Sequence, residues 1–379
     1  MHTAIKSSIA VKHINALELM VPLNNAWNRL YHSAGCQSPT MTFSWIHSFL
    51  ENPPDIVKSW KILLASENDE LIGILPVIEF SSKPLLETPF DWHTISVDFL
   101  LKPGQEREII GVMVEHLSSI YPRWSHLILR RIPESSPVVA AAKSRPSGLR
   151  GLLEYNGRGS YLKIQNNFES FYSGLSKNFR KNLKKSVRNI ESLGSISLKV
   201  IKGREITEHD IDKFLKLESS GWKGQSGSAI GKSSRLTAFY KALCRRLADD
   251  NILEWHFLQT DTDFMAAQMA FRIGDRLTIN KIAYNESFSH YSPGNYLFLK
   301  TVEIACNAGD IKEIDCLTDM SWHRNWELDQ RDYFDIHIFP HGLSSLLTGI
   351  LPLKIKSMLK KARAFRTVRD NFGFLRFRH

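Results

Sequence analysis

Apolar residues recur along this chain in two rhythms, one suited to helices and one to strands. The spacing from Ile14 to Tyr31 predicts one helix, followed by a Gly/Ser/Pro turn at Gly35–Pro39. Thr42–Asn52 reads as a short amphipathic helix stopped by Pro53-Pro54, because proline lacks the N–H that a continuing helix needs. Two aliphatic runs, Trp60–Ser66 and Leu71–Phe80, flank the polar turn Glu67–Glu70 and predict a hairpin. A helix over Gln105–Ile120 and a strand over Ser125–Ile132 come after it. Pro133–Gly159, rich in Ser, Pro, Gly and Arg and weakly periodic, is expected to be a linker.

The second half is more regular. Phe168, Phe171, Tyr172, Leu175, Phe179, Leu183, Val187 and Ile190 recur every three or four positions, predicting one long helix that stops at Leu193-Gly194. A strand at Ser197–Ile201 and helices at Asp210–Ser220 and Arg235–Asp249 come next. Three strands are then expected, Leu253–Thr260, Phe264–Ile273 and Arg276–Tyr284. Ser292-Pro293-Gly294 opens a helix that closes at Gly309, and Lys312–Leu317 and Tyr333–Phe339 read as the last strands. The blocks Trp60–Phe80 and Leu253–Ile273 repeat one plan of strand, polar turn and strand, each after an aromatic-bearing helix. The expectation is one α/β fold used twice, in domains 1–150 and 160–340, with a tail at 343–379.

Charge refines this picture. The 379 residues carry 49 Lys and Arg against 39 Asp and Glu, a formal charge of +10. From Leu343 to His379 there are nine Lys and Arg and one acid, Asp370, so the tail supplies most of the excess. Within it Ile355, Met358, Leu359, Ala362 and Phe365 alternate with cations at helical spacing, a pattern suited to an anionic membrane surface. No run approaches the ~18 apolar residues of a membrane span. The start MHTAIKSSIAVKH has no apolar leader core, so a cytoplasmic protein is expected, with the tail as its route to the inner face of the membrane. Cys36, Cys244, Cys306 and Cys316 stand far apart with no metal-ligand spacing, and neither a disulfide framework nor a metal is expected.

Two features carry chemistry. Ser292-Pro293-Gly294-Asn295 comes after a strand that ends at Tyr284 and starts a helix, so it offers backbone N–H groups and the positive end of the dipole to an anion. Lys177, Arg180, Lys181, Lys184, Lys185 and Arg188 place six cations on one helix, with Arg180 and Lys181 as the candidates for gripping a phosphate. The aromatic residues of that helix fall on its apolar face, which leaves no stacking platform and points away from nucleic acid.

FYSGLSKNFRKNLKKSVRNIESLG (Phe171–Gly194), LESSGWKGQSGSAI (Leu217–Ile230), FYKALCRRLAD (Phe239–Asp249) and AYNESFSHYSPGNYLFLKTVEIA (Ala283–Ala305) occur in an order that resembles the GNAT-like acetyltransferase family named for CelD/BcsL, linked to cellulose and exopolysaccharide synthesis. The resemblance covers about Gln165–Asp329 and implies a mixed sheet flanked by helices, duplicated as in FemAB-type transferases. It implies acetyl-CoA or another acyl-CoA as co-substrate, with Ser292, Gly294 and Asn295 on its pyrophosphate. The chain departs from the Arg/Gln-x-x-Gly-x-Gly/Ala loop of GNAT folds, which leaves the acyl donor open. The resemblance places GWKGQSG (Gly221–Gly227) on the acceptor side, with Trp222 against a sugar face and Lys223 on an anionic group. Where the family carries a Tyr-Lys pair and a following Trp, this chain has Trp322-His323 and Trp326. Trp322 cannot donate a proton and is assigned to substrate binding. His323 titrates in the useful range and becomes the candidate acid or base, with Asp315 and Tyr284 completing the catalytic set. The implied reaction is acyl transfer to an amine or hydroxyl of a carbohydrate acceptor. Two alternatives are a non-catalytic scaffold of polysaccharide synthesis and a FemAB-like aminoacyl transferase that uses aminoacyl-tRNA.

Overall fold

The structure is a computed structural model and describes residues 8–80, 84–144, 150–164, 167–221, 227 and 229–340. Trp222, Lys223 and the basic tail therefore lie outside the described residues. The first part holds β1 (Ala10–Ile14), α1 (Leu17–Met20), α2 (Asn24–Ser33), α3 (Phe43–Glu51), β2 (Val57–Glu67), β3 (Glu70–Phe80), β4 (Leu85–Glu87), β5 (Leu100–Leu101), α4 (Glu106–Ile120), β6 (His126–Pro133), α5 (Pro137–Ser144) and β7 (Arg150–Lys163). The rest holds α6 (Phe168–Gly174), α7 (Lys177–Glu191), β8 (Ser197–Lys202), α8 (Glu208–Ser220), α9 (Ser234–Asp249), β9 (Leu253–Gln259), β10 (Phe264–Ile273), β11 (Arg276–Tyr284), α10 (Pro293–Ala308), β12 (Glu313–Asp315) and β13 (Asp329–Phe339).

All the described strands share one mixed sheet, ordered β1-β2-β3-β4-β6-β13-β7-β12-β11-β10-β9-β8, with β5 beside β3. From either edge inward the plan is the same: three antiparallel pairings, then one parallel pairing, β4 with β6 and β11 with β12. The two central strands are exchanged. β7, which succeeds the first half in sequence, pairs with β12 of the second, and β13, which ends the second, pairs with β6 of the first. β7 and β13 pair with each other and close the seam.

Helices cover both faces. One core joins the halves: Trp27 and Leu30 of α2 and Trp45 and Phe49 of α3 pack with Phe214 of α8, Phe239 of α9 and Phe271 of β10. Trp45 meets Phe239 and Phe271 edge-on at 6.2 and 5.3 Å ring separation. On the opposite face α4 and α5 cover the first half, and α6, α7 and α10 cover the second. Strands send alternate side chains to opposite faces. Phe334, Ile336 and Ile338 of β13 and Ile314 of β12 enter those outer cores. Tyr333, Asp335, Glu313 and Asp315 consequently face the other way, so the middle of the sheet is polar on the side that carries α2, α3, α8 and α9.

Three expectations change. The helix expected over Ile14–Tyr31 begins instead as edge strand β1, and Pro22 inserts a 3-10 turn between α1 and α2. The long helix expected from Phe168 divides at Leu175-Ser176, where the Ser176 hydroxyl accepts the Phe179 N–H at 3.3 Å and caps α7; such a cap contributes about 1 kcal/mol. Pro133–Gly159 is not a linker, since it forms α5 and most of β7. Its glycines fit a crowded central strand: a Cβ on Gly159 would lie 2.6 Å from the Tyr333 ring and 2.8 Å from the Leu317 carbonyl oxygen. The hairpin is as expected, with Asn68 and Asp69 both at positive φ in a two-residue turn.

Candidate active site

β11 runs against β10 to its last residue, Tyr284, but pairs with β12 only over Arg276–Thr278. Beyond Thr278 the edge of β11 that faces β12 has no strand beside it among the described residues. β12 turns away at Leu317, a non-glycine residue at φ 60 whose N–H is taken by the Asp315 carboxylate at 2.8 Å. A bulge lies where the strands part, since Ile279 and Lys281 both find partners on β10 and Asn280 finds none. The Asn280 Oδ1 is buried without a hydrogen bond among the described residues.

α10 starts at the same end. Tyr296 and Leu297, in its first turns, share a small core with Met265, Ala266 and Tyr284. Ser292 is exposed and left-handed, and Pro293 takes the first helical position. Among the described residues no side chain caps this start, and its first turn carries no acid. The N–H groups of Asn295 and Tyr296 turn back to the Ser292 carbonyl. A Cβ added to Gly294 would meet nothing within 4 Å, so the flank of the helix start is open. An open, uncapped and acid-free start of a 16-residue helix fits the pyrophosphate of an acyl-CoA. Ser292, Gly294 and Asn295 thus sit together at this position.

The basic helix does not join them. Ser186, whose hydroxyl donates to the Tyr291 carbonyl, faces this site together with Val187 and Ile190, which pack with Tyr296 and Leu297. At about 100° per residue, Lys181 lies some 140° around the helix from Ser186, and Lys177, Lys184 and Arg188 are further round still. Lys181 is exposed; Arg180 is half-buried, its Nε without a hydrogen bond among the described residues.

The remaining sequence candidates fall in three places. Trp322 and His323 belong to a 3-10 turn, Ser321–Trp326, locked by aromatic packing. Trp326 is fully buried against Phe179 at 5.0 Å and Phe298 at 4.7 Å, and Trp322 meets Phe298 edge-on at 5.5 Å. His323 is 3% exposed, and its Nδ1 accepts the Met320 N–H at 3.2 Å. Burial pushes its pKa down, against the opposing pull of Asp319 and the Thr318 backbone. Tyr284 is half-buried at the end of β11, its hydroxyl pKa raised by burial and by Glu286. Asp315 is buried on the opposite face, its carboxyl pKa raised by desolvation although Arg331 and the Leu317 N–H act against this.

Around Asp315 the structure assembles a group that sequence spacing did not single out. Glu313 contacts Arg276 at 2.8 Å and Arg331 at 2.5 Å, and Arg331 lies 4.0 Å from Asp315. Tyr333 and Arg131 complete the group, with the Arg131 guanidinium 4.7 Å from the Tyr333 ring centre. These residues come from four strands and meet only because β7 and β13 exchange halves. The one local signal was the alternation of Tyr333, Asp335 and His337 with apolar residues in the last strand. Among the described residues no three His, Cys, Asp or Glu side chains are placed to hold a metal ion, and no helix is long and apolar enough to cross a membrane.

Comparison with known proteins bears on the second half. Residues 177–325 match the family model of the acetyltransferase (GNAT) domain, which supports an acyltransferase. No curated protein matches the chain. Among solved structures, FemX aligns at TM-score 0.59 and 9% identity over 90% of this chain and 99% of its own. A conserved protein of unknown function from Bacteroides thetaiotaomicron aligns at 0.54 and 11% identity, over 87% of this chain and 99% of its own. The C-terminal domain of a proposed lysylphosphatidylglycerol synthetase from Agrobacterium fabrum aligns at 0.53 and 10% identity, over 86% and 94%. At such identities the likeness is one of fold, and it spans both halves.

Proposed function

We propose that the chain moves an acyl group from acyl-CoA to an amine or hydroxyl of an acceptor, at the gap between β11 and β12. The observation that carries this reading is the start of α10, uncapped among the described residues, beside a strand edge with no partner among them, inside the segment that matches the GNAT domain. Acyl-CoA would supply an activated thioester. Ser292, Gly294 and Asn295 would hold its pyrophosphate, and the free edge of β11 would offer backbone N–H groups toward developing negative charge on the acyl oxygen. The acceptor would enter from the face that carries Glu313 and Asp315. Asp315, its carboxyl pKa raised by burial, is the nearest candidate there to take the acceptor's proton. The acceptor class implied by the sequence resemblance is a sugar or polysaccharide precursor, with Trp222 and Lys223 beside it. Titration calorimetry with acetyl-CoA tests the reading; micromolar or tighter binding is expected, and no heat at millimolar ligand would end it.

In this reading His323 is a positioning residue. Its Nδ1 already holds the Met320 N–H, which fixes the turn between Asp315 and β13. His323→Asn, which keeps an acceptor near that position, should retain acetyl transfer within about threefold, whereas His323→Ala should lose it together with the packing of the turn. If His323 is itself the acid or base, both variants should fall by about 100-fold or more.

One observation favours a second reading. Lys177, Lys181, Lys184, Lys185 and Arg188 are all exposed on α7 and form no ion pair among the described residues, a surface suited to an RNA backbone. That would fit an aminoacyl transferase drawing on aminoacyl-tRNA. Binding of charged tRNA that weakens steeply with salt, without acetyl-CoA binding, would replace the first reading with this one.

A further inference from the structure

The polar middle of the sheet contains a cation held in place at a conformational cost. β6 carries a bulge, with Ile132 facing Phe334 and Leu129 facing Ile336, so Arg130 and Arg131 together oppose Asp335. Arg131 sits there at φ 50, a left-handed conformation that non-glycine residues rarely adopt. The bulge is clamped by Asp335, which accepts the Arg131 N–H at 2.9 Å and an Arg130 Nη1 hydrogen bond at 3.0 Å. Glu87 also pairs with Arg130, so the carboxylates at that end of the face are engaged there.

The Arg131 side chain, by contrast, reaches no carboxylate among the described residues. Its Nη1 donates to the Asn156 carbonyl at 3.1 Å and its Nη2 to the Leu317 and Arg158 carbonyls at 3.1 and 3.4 Å, while its Nε is buried without a partner among the described residues. Beneath it lies Tyr333, 5% exposed, its ring centre 4.7 Å from the Arg131 guanidinium. Burial and the Asp315 carboxylate push the pKa of the Tyr333 hydroxyl up while Arg331, Arg131 and Arg276 oppose them, so one carboxylate, three guanidiniums and the phenol form one neighbourhood. Arg331 also has a buried Nε without a partner among the described residues. Access is open, because the Arg276, Arg331 and Glu313 side chains keep 23%, 18% and 19% exposure. Gly159 is required for the arrangement, since a Cβ there would collide with the Tyr333 ring.

We propose that Arg131 and Tyr333, flanked by Arg331 and Arg276, form an oxyanion-recognition site in the seam between the halves, which binds a carboxylate or phosphate carried by the acceptor. The inference deepens the acyltransferase reading and rests on it for the word acceptor; the oxyanion site itself stands on the seam geometry. A phenol hydroxyl can donate one hydrogen bond to an anion, and a guanidinium that engages only carbonyls among the described residues retains its full charge for an oxyanion. The location suits an acceptor. Asp315 lies in the same cluster, on the sheet face opposite α10, and Arg131 holds the Leu317 carbonyl at the turn where β12 leaves β11. An acceptor bound by its anion in the seam would thereby tighten the turn that bounds the gap.

The test uses the full chain saturated with CoA, so that the start of α10 is already filled, and titrates inorganic phosphate and, separately, succinate by calorimetry. Saturable binding of one probe is expected, and the stronger probe identifies phosphate or carboxylate as the acceptor group. Tyr333→Phe should weaken that binding at least about tenfold. Arg131→Gly, which suits the left-handed backbone, should weaken it further, and Lys12→Ala on the exposed edge strand β1 should leave it unchanged. Absence of saturable binding, or binding that Tyr333→Phe and Arg131→Gly do not alter, overturns the proposal. If CoA itself fails to bind, the acyl-CoA reading falls, and the same variant dependence in the free protein still decides for or against the seam site.

Discussion

Each half of this molecule joins one parallel pair of strands through a connecting helix, and the two pairs are finished in opposite ways. In the first half β4 and β6 are tied across by Glu87 and Arg130, with Asp335 of β13 completing the set. The connecting helix α4 opens with Glu106 and Glu108 in its first turn, so its positive end is answered by its own carboxylates. In the second half β11 carries Thr278 and the bulged Asn280 where the strands part, and the connecting helix α10 opens without an acid or a cap. The same scaffold therefore yields one closed pair and one open pair. A ligand site needs unanswered polar groups, and only the second half provides them at its connecting helix.

The closed pair is the easier to break. Asp335→Ala removes both clamps on the Arg131 bulge and leaves Arg130 with Glu87 alone. Loss of one partner from a buried charge group costs about 3–5 kcal/mol. Urea unfolding should show that loss with little change in slope. A cost below about 1 kcal/mol would mean that the first pair is held by its apolar core alone.

A second contrast concerns pH. Asp98, in the loop before β5, accepts the Ser136 hydroxyl at 2.5 Å and the Phe99 N–H at 2.7 Å, yet burial lifts its pKa from 3.8 to about 6. A carboxyl whose folded pKa is raised contributes stability that is full below pH 3.8 and is lost as pH rises through about 6. His126, lowered to about 4 by burial and by His337 and Arg130, acts in the opposite direction, losing stability as pH falls from 6.5. Asp98→Asn leaves His126 untouched, so the difference between variant and parent isolates Asp98. The variant should gain on the parent by up to about 3 kcal/mol between pH 4 and pH 7, a two-unit shift in free-energy terms. A difference that stays flat with pH would show that Asp98 titrates normally.

The open pair is tested by closing it. Gly294→Glu places a carboxylate in the first turn of α10, as Glu106 stands in α4. A Cβ at that position meets nothing, and an acid there favours the helix, so the variant should fold at least as well as the parent. Acetyl-CoA affinity should nevertheless fall about 100-fold, about 2.7 kcal/mol by the affinity scale. Undiminished affinity would move the cofactor away from α10.

How much of this contrast the sequence carried depends on the kind of signal. The amphipathic spacing of α9 was legible because it is a local pattern with one buried face, and β9–β11 were legible as short apolar runs bounded by polar turns. The start of α10 was legible because Ser-Pro-Gly is a local instruction. The exchange of β7 and β13 was not: β7 lies at the centre of the sheet, is rich in glycine, and mixes the exposed Tyr155, Arg158 and Lys163 among its apolar residues, so it shows little period. The seam cluster was invisible for the same reason, since Arg131, Glu313 and Tyr333 are distant in sequence and meet only through that exchange. His323 shows the reverse case. Its residue type suggested acid–base chemistry, whereas the positioning role proposed for it rests on the burial of its ring and the engagement of Nδ1 by Met320, which no sequence pattern carries.

The smallest effect is expected at α4, and it sharpens the comparison from the other side. Glu106→Gln and Glu108→Gln together remove both acids from the first turn and leave the positive helix end unanswered. Each exposed helix–charge interaction contributes about 0.3–1 kcal/mol, so stability should fall by about 1 kcal/mol and less at high salt. The β4–β6 pair remains tied by Glu87 and Arg130, so the double variant should not acquire a second CoA site: calorimetry should still fit one site per chain. A second site in the double variant would show that the acids of α4, not the ion pair across the strands, keep the first half from binding the same ligand.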